Sequence, residues 1–492
     1  MIHRFRCALT AVPLILLGIR GAAAQGRDVR VVFVEPVGGP GARDSAAYRV
    51  VTDSARVRTY VGWMANESAR MALDLYARAW ALTPEGKDGR PPVYYVALVP
   101  GGNHAAVGLR LEGDSGSSAY AHTSYIKLAP EDWVFETTLL HETGHMLLSM
   151  LNGGAEIPKH AMAAISHTTA ALTDRGTAFD EGFAIHLETL AAQLTSDPFL
   201  RDRYYHTRFR FGVADMLGEF HRPAGDLLSF SQTMARYQEV RDNTFAFSPA
   251  YAGPDYLRVQ LEKGRDFASL RDANQLLQSE GFYATFFFGL LMRGASVPTP
   301  GLIRERQQKV LVALADMLRA GSRADDPFLL RFVETYLRGF PDEAGEVVDV
   351  LLDLSHGVFA DPAAAALWRD HYLGALRLDL GERDNRRLES ARARWRTEVL
   401  RDPQTLYRLL GPQIRTEVPG QTVRLVVFEE AMPLSFDLNT VEPGVMRLIP
   451  GISGAEVEAW LRARATRPFA DVGDFKRRSG LRAATLRRLR FG

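Results

Sequence analysis

The five residues His141-Glu142-Thr143-Gly144-His145 constrain this chain more than any other stretch. Residues i and i+4 of a helix lie on one face, so a helix here lets both imidazoles reach a single metal ion. Glu142 stands beside them, where it can act on a water at that ion. Glu181, 36 positions beyond His145, lies in Phe179-Asp180-Glu181-Gly182-Phe183-Ala184. A carboxylate brought in from a second helix would complete a His2Glu zinc site with one position open for chemistry. The flanks suit a helix. Pro130 fits a first helical position, and Glu131 and Asp132 put negative charge in the first turn. Trp133 to Leu151 contains no proline, and Asn152-Gly153-Gly154 reads as a stop. His141 and His145 share a stripe with Val134, Thr138 and Leu148. The plainer alternative is a buried helix whose two histidines bond to neighbours.

The chain opens like a secretory leader. Arg4 and Arg6 are followed by a short apolar run from Ala8 to Ile19, and Ala22-Ala23-Ala24 offers a small-residue cleavage site. That run is too short to span a bilayer comfortably, and no later stretch reaches spanning length. The expected location is secreted or periplasmic, with no transmembrane segment in the mature chain. Cys7, the only cysteine, lies inside the leader, so the mature chain forms no disulfide and relies on its core. Removing Arg4, Arg6 and Arg20 takes the formal charge from +1 to −2. A near-neutral total says little about partners. The remaining length, about 470 residues, suggests two to four domains.

Val29 to Val34 reads as a strand, and a helix is expected over about Arg58 to Leu82, with Ser68 interrupting its apolar stripe. Val93 to Val99 reads as a strand, Gly101-Gly102-Asn103 as a loop, and Tyr120 to Leu128 as a further strand ahead of the histidine helix. This order resembles the catalytic domain of gluzincin metallopeptidases, and the Glu-Gly-Phe-Ala run is similar to the aminopeptidase N type. The resemblance covers roughly residues 50 to 300 and is specific at the two motifs. It implies zinc held by His141, His145 and Glu181, Glu142 as general base, and hydrolysis of a peptide or protein substrate. It also implies a tyrosine that stabilises the oxyanion. Tyr283, in Phe282-Tyr283-Ala284-Thr285, is the candidate, with Tyr251 and Tyr256 as rivals and a core aromatic as the alternative.

Three departures bear on activity. The gap between the two motifs is longer than in the aminopeptidases, and the extra segment Gly153 to Thr177 contains His160 and His167. The strand before the helix reads Ala119 to Tyr125 and lacks the Gly-Ala-Met-Glu-Asn signature that captures a free amino terminus, which favours an endopeptidase. Ile185 holds the place of the thermolysin-like aspartate. The Tyr120 to Lys127 strand has two readings, an edge that pairs with substrate or an ordinary edge strand. His122, His160, His167 and His186 are each read as structural, and Asp180 and Glu188 as groups around the site rather than ligands.

Gln193 to Pro412 reads as mostly helical, with an apolar helix from Glu280 to Arg293 and others at about 302–320, 326–338, 341–354, 363–378 and 385–400. Gln413–Val418 and Thr422–Phe428 read as a β-hairpin around Pro419-Gly420. After it, Asp437-Leu438-Asn439-Thr440, Leu448-Ile449-Pro450-Gly451-Ile452, Phe469-Ala470-Asp471-Val472 and Arg478-Ser479-Gly480-Leu481 resemble the tandem helix-hairpin-helix module of secreted competence DNA receptors. From Ser435 to Gly492 there are 11 Lys/Arg and 6 Asp/Glu. Double-stranded DNA, met by Arg477, Arg478, Arg482 and the backbone near Gly451 and Gly480, is one expected partner, and protein packing is the other reading.

The expected fold class is therefore α+β, with a small mixed sheet and metal-binding helices. The expected segments are a leader at 1–24, a gluzincin-like metallopeptidase domain at 25–300, a helical domain at 301–412, a β-hairpin linker at 413–434 and a helix-hairpin-helix module at 435–492. The expected function is a zinc metallopeptidase. The alternative is a catalytically inactive peptidase-like scaffold that binds DNA or protein through its tail.

Overall fold

The computed structural model describes residues 29–38, 47–113, 116–131, 138–159, 174–194, 273–294, 298–355, 357–360, 367, 382–408, 410, 413–416, 434–439, 441, 443–446, 449 and 451–491. The expected leader, the strand at 422–428 and, apart from residue 367, the helix at 363–378 lie outside these residues. The chain forms two compact units, Met1–Met150 and Leu151–Gly492.

In the first unit, β1 (Arg30–Pro36) pairs antiparallel with β2 (Tyr48–Val50). Three helices, α1 (Ser54–Trp63), α2 (Glu67–Trp80) and α3 (Pro84–Lys87), carry the chain to β3 (Val93–Leu98), which lies parallel to β1. A parallel neighbour requires such a crossover. The antiparallel hairpin of β4 (Asn103–Gly113) and β5 (Gly116–Leu128) then closes a barrel in the order β1-β2-β4-β5-β3. Alternation along the strands builds two layers. Val32, Val34, Tyr48, Ala97, Leu109 and Tyr125 form the cluster on one face. Phe33 packs on Tyr60 of α1, and Tyr94 meets Tyr76 of α2 edge-on at 5.0 Å.

Two local readings need correction. The helix expected over Arg58–Leu82 is two helices, because the Asn66 side chain accepts from the Ala69 amide at 2.7 Å and starts a new one. Ser68, which interrupts the apolar stripe, is buried in the first turn of α2. The loop expected at Gly101-Gly102-Asn103 ends at Gly102, since Asn103 opens β4. Its pattern is illegible because the register shifts between Val107 and Leu109, around Gly108 at φ +89°. A bulge there moves the alternation onto the other face partway along the strand. β5 also begins earlier than Tyr120. Its exposed start, Gly116-Ser117-Ser118-Ala119, carries no apolar signal.

Helix α4 (Leu139–Leu151) carries the two histidines and ends at Gly153 and Gly154, both with positive φ. Asn152 closes the turn by donating to the carbonyls of Ala155 and Glu156.

The second unit is built on α5 (Arg175–Leu194) and α6 (Glu280–Met292), whose thirteen residues are all buried. A Cβ on Gly182 of α5 would lie 2.5 Å from the Glu280 carbonyl oxygen and 2.4 Å from the Tyr283 Cβ. Only glycine lets these two helices approach so closely. Phe179, Phe183, Phe287 and Phe332 form a continuous ring cluster. Helices α7 (Pro300–Arg319), α8 (Phe328–Gly339), α9 (Ala344–Leu354) and α10 (Glu382–Arg401) follow close to their expected limits.

The tail contains β6 (Gln413–Thr416), β7 (Leu434–Asp437), α11 (Gly454–Thr466), α12 (Val472–Arg478), α13 (Ala483–Leu486) and β8 (Leu489–Phe491). The three strands form one antiparallel sheet in the order β7-β6-β8. β6 is thus the central strand of a sheet completed by the last residues described. A module cut at Ser435 would lack that strand, so the tail is a structural unit only from about residue 413.

Candidate metal centre

Helix α4 is held from the sheet side. Thr143 donates to the Leu139 carbonyl at 2.6 Å, and its hydroxyl lies 2.6 Å from the hydroxyl of Tyr94 on β3. Tyr94 is fully buried, and burial holds its hydroxyl well above the usual phenol range, in its protonated form. This contact ties the roll of α4, and with it the face that His141 and His145 share, to β3. Alternation on β3 marks Tyr94 as facing away from the barrel, but its pairing with the middle residue of the histidine motif leaves no trace in sequence.

The two Nε2 atoms of His141 and His145 lie 3.1 Å apart, with ring planes at 74°. Each of His141, His145 and Glu181 offers one ligand atom, and these atoms lie within 4.8 Å of one another. Among the described residues this is the group able to hold a metal ion. The donors fit zinc, since two imidazole nitrogens and one carboxylate oxygen are the protein ligands of a catalytic site. The histidine spacing fits as well. Two Zn–N bonds of about 2.05 Å at the tetrahedral angle place their nitrogens about 3.3 Å apart. Glu142 is buried on the same helix, one residue from His141.

The other sequence candidates fall elsewhere. Tyr283 is fully buried in the second unit, its ring 5.8 Å from Phe179. Burial raises its pKa well above the phenol range. This placement favours the core-aromatic reading of Tyr283 over the oxyanion role. Tyr251, Tyr256, His160 and His167 lie outside the described residues. His122 is exposed on the β4–β5 hairpin. His186 is buried against Phe183 and Phe287, and its Nδ1 donates to the Phe183 carbonyl. Burial lowers its pKa to about 3, so it stays neutral. Asp180 pairs with Lys159 at 2.5 Å. Burial favours loss of the Lys159 proton, but Asp180 and Glu181 outweigh it and hold the ammonium charged. Lys159 is the residue near this site that sequence reading missed. It stands in a segment with no periodicity, where a lone lysine gives no signal.

In the tail, Gly451 and Gly480 share the same φ of +73°, as the paired hairpin turns require. The Arg residues expected at phosphates divide. Arg478 donates to Asp474, Ala463 and Arg467, which commits it to the module's own packing. Arg482 donates to Glu456 and to the Gly451 carbonyl. Arg477 is exposed, as are Arg462, Lys476, Arg487 and Arg488.

No family model, curated protein or solved structure matches the chain.

Proposed function

We propose that this protein is a zinc-dependent hydrolase of peptide bonds, acting outside the cytoplasm, and that it is an endopeptidase rather than an aminopeptidase. The observation that carries this reading is the approach of His141, His145 and Glu181 ligand atoms to within 4.8 Å of one another, with Glu142 on the same helix as the histidines. A zinc ion held by these three residues would act as a Lewis acid toward water and the scissile carbonyl. His141 and His145 would hold the ion through imidazole nitrogens and Glu181 through a carboxylate oxygen. Glu142 receives a proton from the attacking water on a carboxylate oxygen and returns it to the leaving amine nitrogen, the work of a general base and then acid. Tyr94 and Thr143 keep the helix in register for that transfer. The missing amino-terminus signature in β5 argues for cleavage within a chain.

The test is metal content. The mature protein should carry about one zinc per chain, and His145→Ala should lose most of it, because two protein ligands retain zinc poorly against water. Zinc content unchanged in that variant would remove the assignment.

A second reading concerns the tail alone. The exposed Arg462, Lys476, Arg477, Arg487 and Arg488 favour a polyanion such as duplex DNA. This role is independent of the hydrolytic chemistry.

A further inference from the structure

We propose that Lys159 and Asp180 form a positioning pair that sets where the Glu181 carboxylate stands. This inference rests on the metal reading above.

Asp180 and Glu181 are adjacent on α5, about 100° apart around the helix axis. A 20-residue helix can place Glu181 correctly only if its roll and axial shift are set to a fraction of an ångström. Three contacts do this from outside the helix. A Cβ on Gly176 would lie 2.0 Å from the Pro158 carbonyl oxygen, so the chain at Pro158 runs directly against the first turn. The next residue, Lys159, reaches one turn further along and binds the Asp180 carboxylate at 2.5 Å. On another side, Gly182 admits the backbone of α6. Glu181 is thus flanked by two anchored residues, one held by charge and the other by close packing.

The charge arithmetic explains why the anchor is a pair. Lys159 lies within electrostatic reach of both Asp180 and Glu181. Alone, its ammonium would compete with a divalent cation for Glu181. Asp180 binds that ammonium and shares its charge with Glu181. A carboxylate at position 180 without Lys159 would instead repel Glu181 and be a rival ligand. The pair is neutral as a whole and costs the site no charge.

The two partners therefore have distinguishable signatures. In Asp180→Asn, Lys159 turns to Glu181, and zinc affinity should fall about 10- to 100-fold, the usual effect of losing a partner behind a ligand. In Lys159→Met, local positive charge is removed. A purely electrostatic role would tighten metal binding, whereas a positioning role weakens it. Lys159→Arg should stay close to wild type. The double variant Lys159→Met/Asp180→Asn should bind zinc more tightly than the sum of the single losses predicts, because the two residues act as one unit.

The experiment is competitive titration of zinc against a chelator on the full-length mature protein, with the visible spectrum of the cobalt-substituted protein reporting ligand geometry. Far-UV circular dichroism confirms that each variant is folded, and the near-isosteric Asp180→Asn gives an arm that does not depend on removing a long side chain. Weakened zinc binding and altered cobalt bands in both single variants, with Lys159→Arg near wild type, is the expected result. Wild-type affinity and spectra in Asp180→Asn and Lys159→Met would overturn the pairing while leaving the metal site intact. A wild-type protein that binds no zinc would overturn the functional reading itself.

Discussion

Glu142 of the histidine helix and Glu456 of the tail are equally buried, each 4 % exposed, yet they stand in opposite kinds of surroundings. Glu456 is a hub. It accepts from the Ser453 amide and hydroxyl, the Arg482 amide and guanidinium, and the Thr485 hydroxyl, all at 2.7–2.9 Å. Burial alone would raise its pKa, but these donors win and hold the carboxyl far below the usual range. It closes the capping box of α11 and ties both hairpins together. A carboxylate so saturated with donors is a poor proton acceptor. Glu142 instead stands beside two half-buried imidazoles that face each other across 3.1 Å. Burial by itself therefore does not tell the two carboxylates apart, whereas the groups beside them do.

The sharpest way to break this comparison is to make the same change in both. Glu142→Gln should keep zinc and fold while hydrolysis of an unfolded protein substrate falls by about 100- to 10,000-fold. Glu456→Gln should leave hydrolysis unchanged and weaken the tail by about 2 kcal/mol, the loss of charge-assisted hydrogen bonds. Activity assays and amide exchange at Arg482 and Thr485 read the two effects separately. Equal loss of activity in both variants would erase the distinction.

A smaller effect concerns the frame of the third ligand. Gly182→Ala puts a methyl into backbone atoms of α6, and overpacking of this kind costs about 1–3 kcal/mol. Thermal melting should show the loss, and zinc affinity should drop with it as Glu181 is displaced. A neutral Gly182→Ala would mean that the helices separate freely.

The mildest change needs no mutation. The folded-state pKa of Glu456 is lower than its unfolded value of about 4.5. Its contribution is therefore complete above that value and declines as the pH drops below it, where the unfolded chain takes up the proton first. Exchange protection at the Arg482 amide should decline over this acidic window, and Glu456→Gln should flatten the dependence. A tail whose protection is constant from neutral pH to well below 4 would contradict the hub.

Much of the local structure was legible because it is written in adjacent residues. The end of helix α4 follows from Asn152-Gly153-Gly154, whereas its start was misplaced, since Pro130 and Glu131, expected in a first turn, are not helical and the helix is described from Leu139. Helix α7 was expected at about 302–320 and starts two residues earlier, at Pro300, where the Thr299 hydroxyl accepts from the Leu302 amide. The histidine spacing carries its own geometry, since i and i+4 share a face in any helix. Tyr283 illustrates the limit. Its place after the ligand helix says nothing about which way it faces, and in the structure its ring lies in the core beside Phe179. The β4 strand was hidden by its bulge, and the sheet partners of β6 by distance along the chain.

The amino-acid sequence by itself determined the elements whose information is local: the glycine stop after α4, the apolar helix at Glu280, and two histidines one turn apart. Only the tertiary structure decided what depends on residues far apart in the chain. It set Tyr94 against Thr143, Lys159 against Asp180 and α6 against Gly182, and it tied the last strand to β6. Each of these is a contact between segments whose separate sequences are compatible with many partners. The choice is made by packing and burial, which reward one arrangement of the whole chain and leave no periodic mark on either segment.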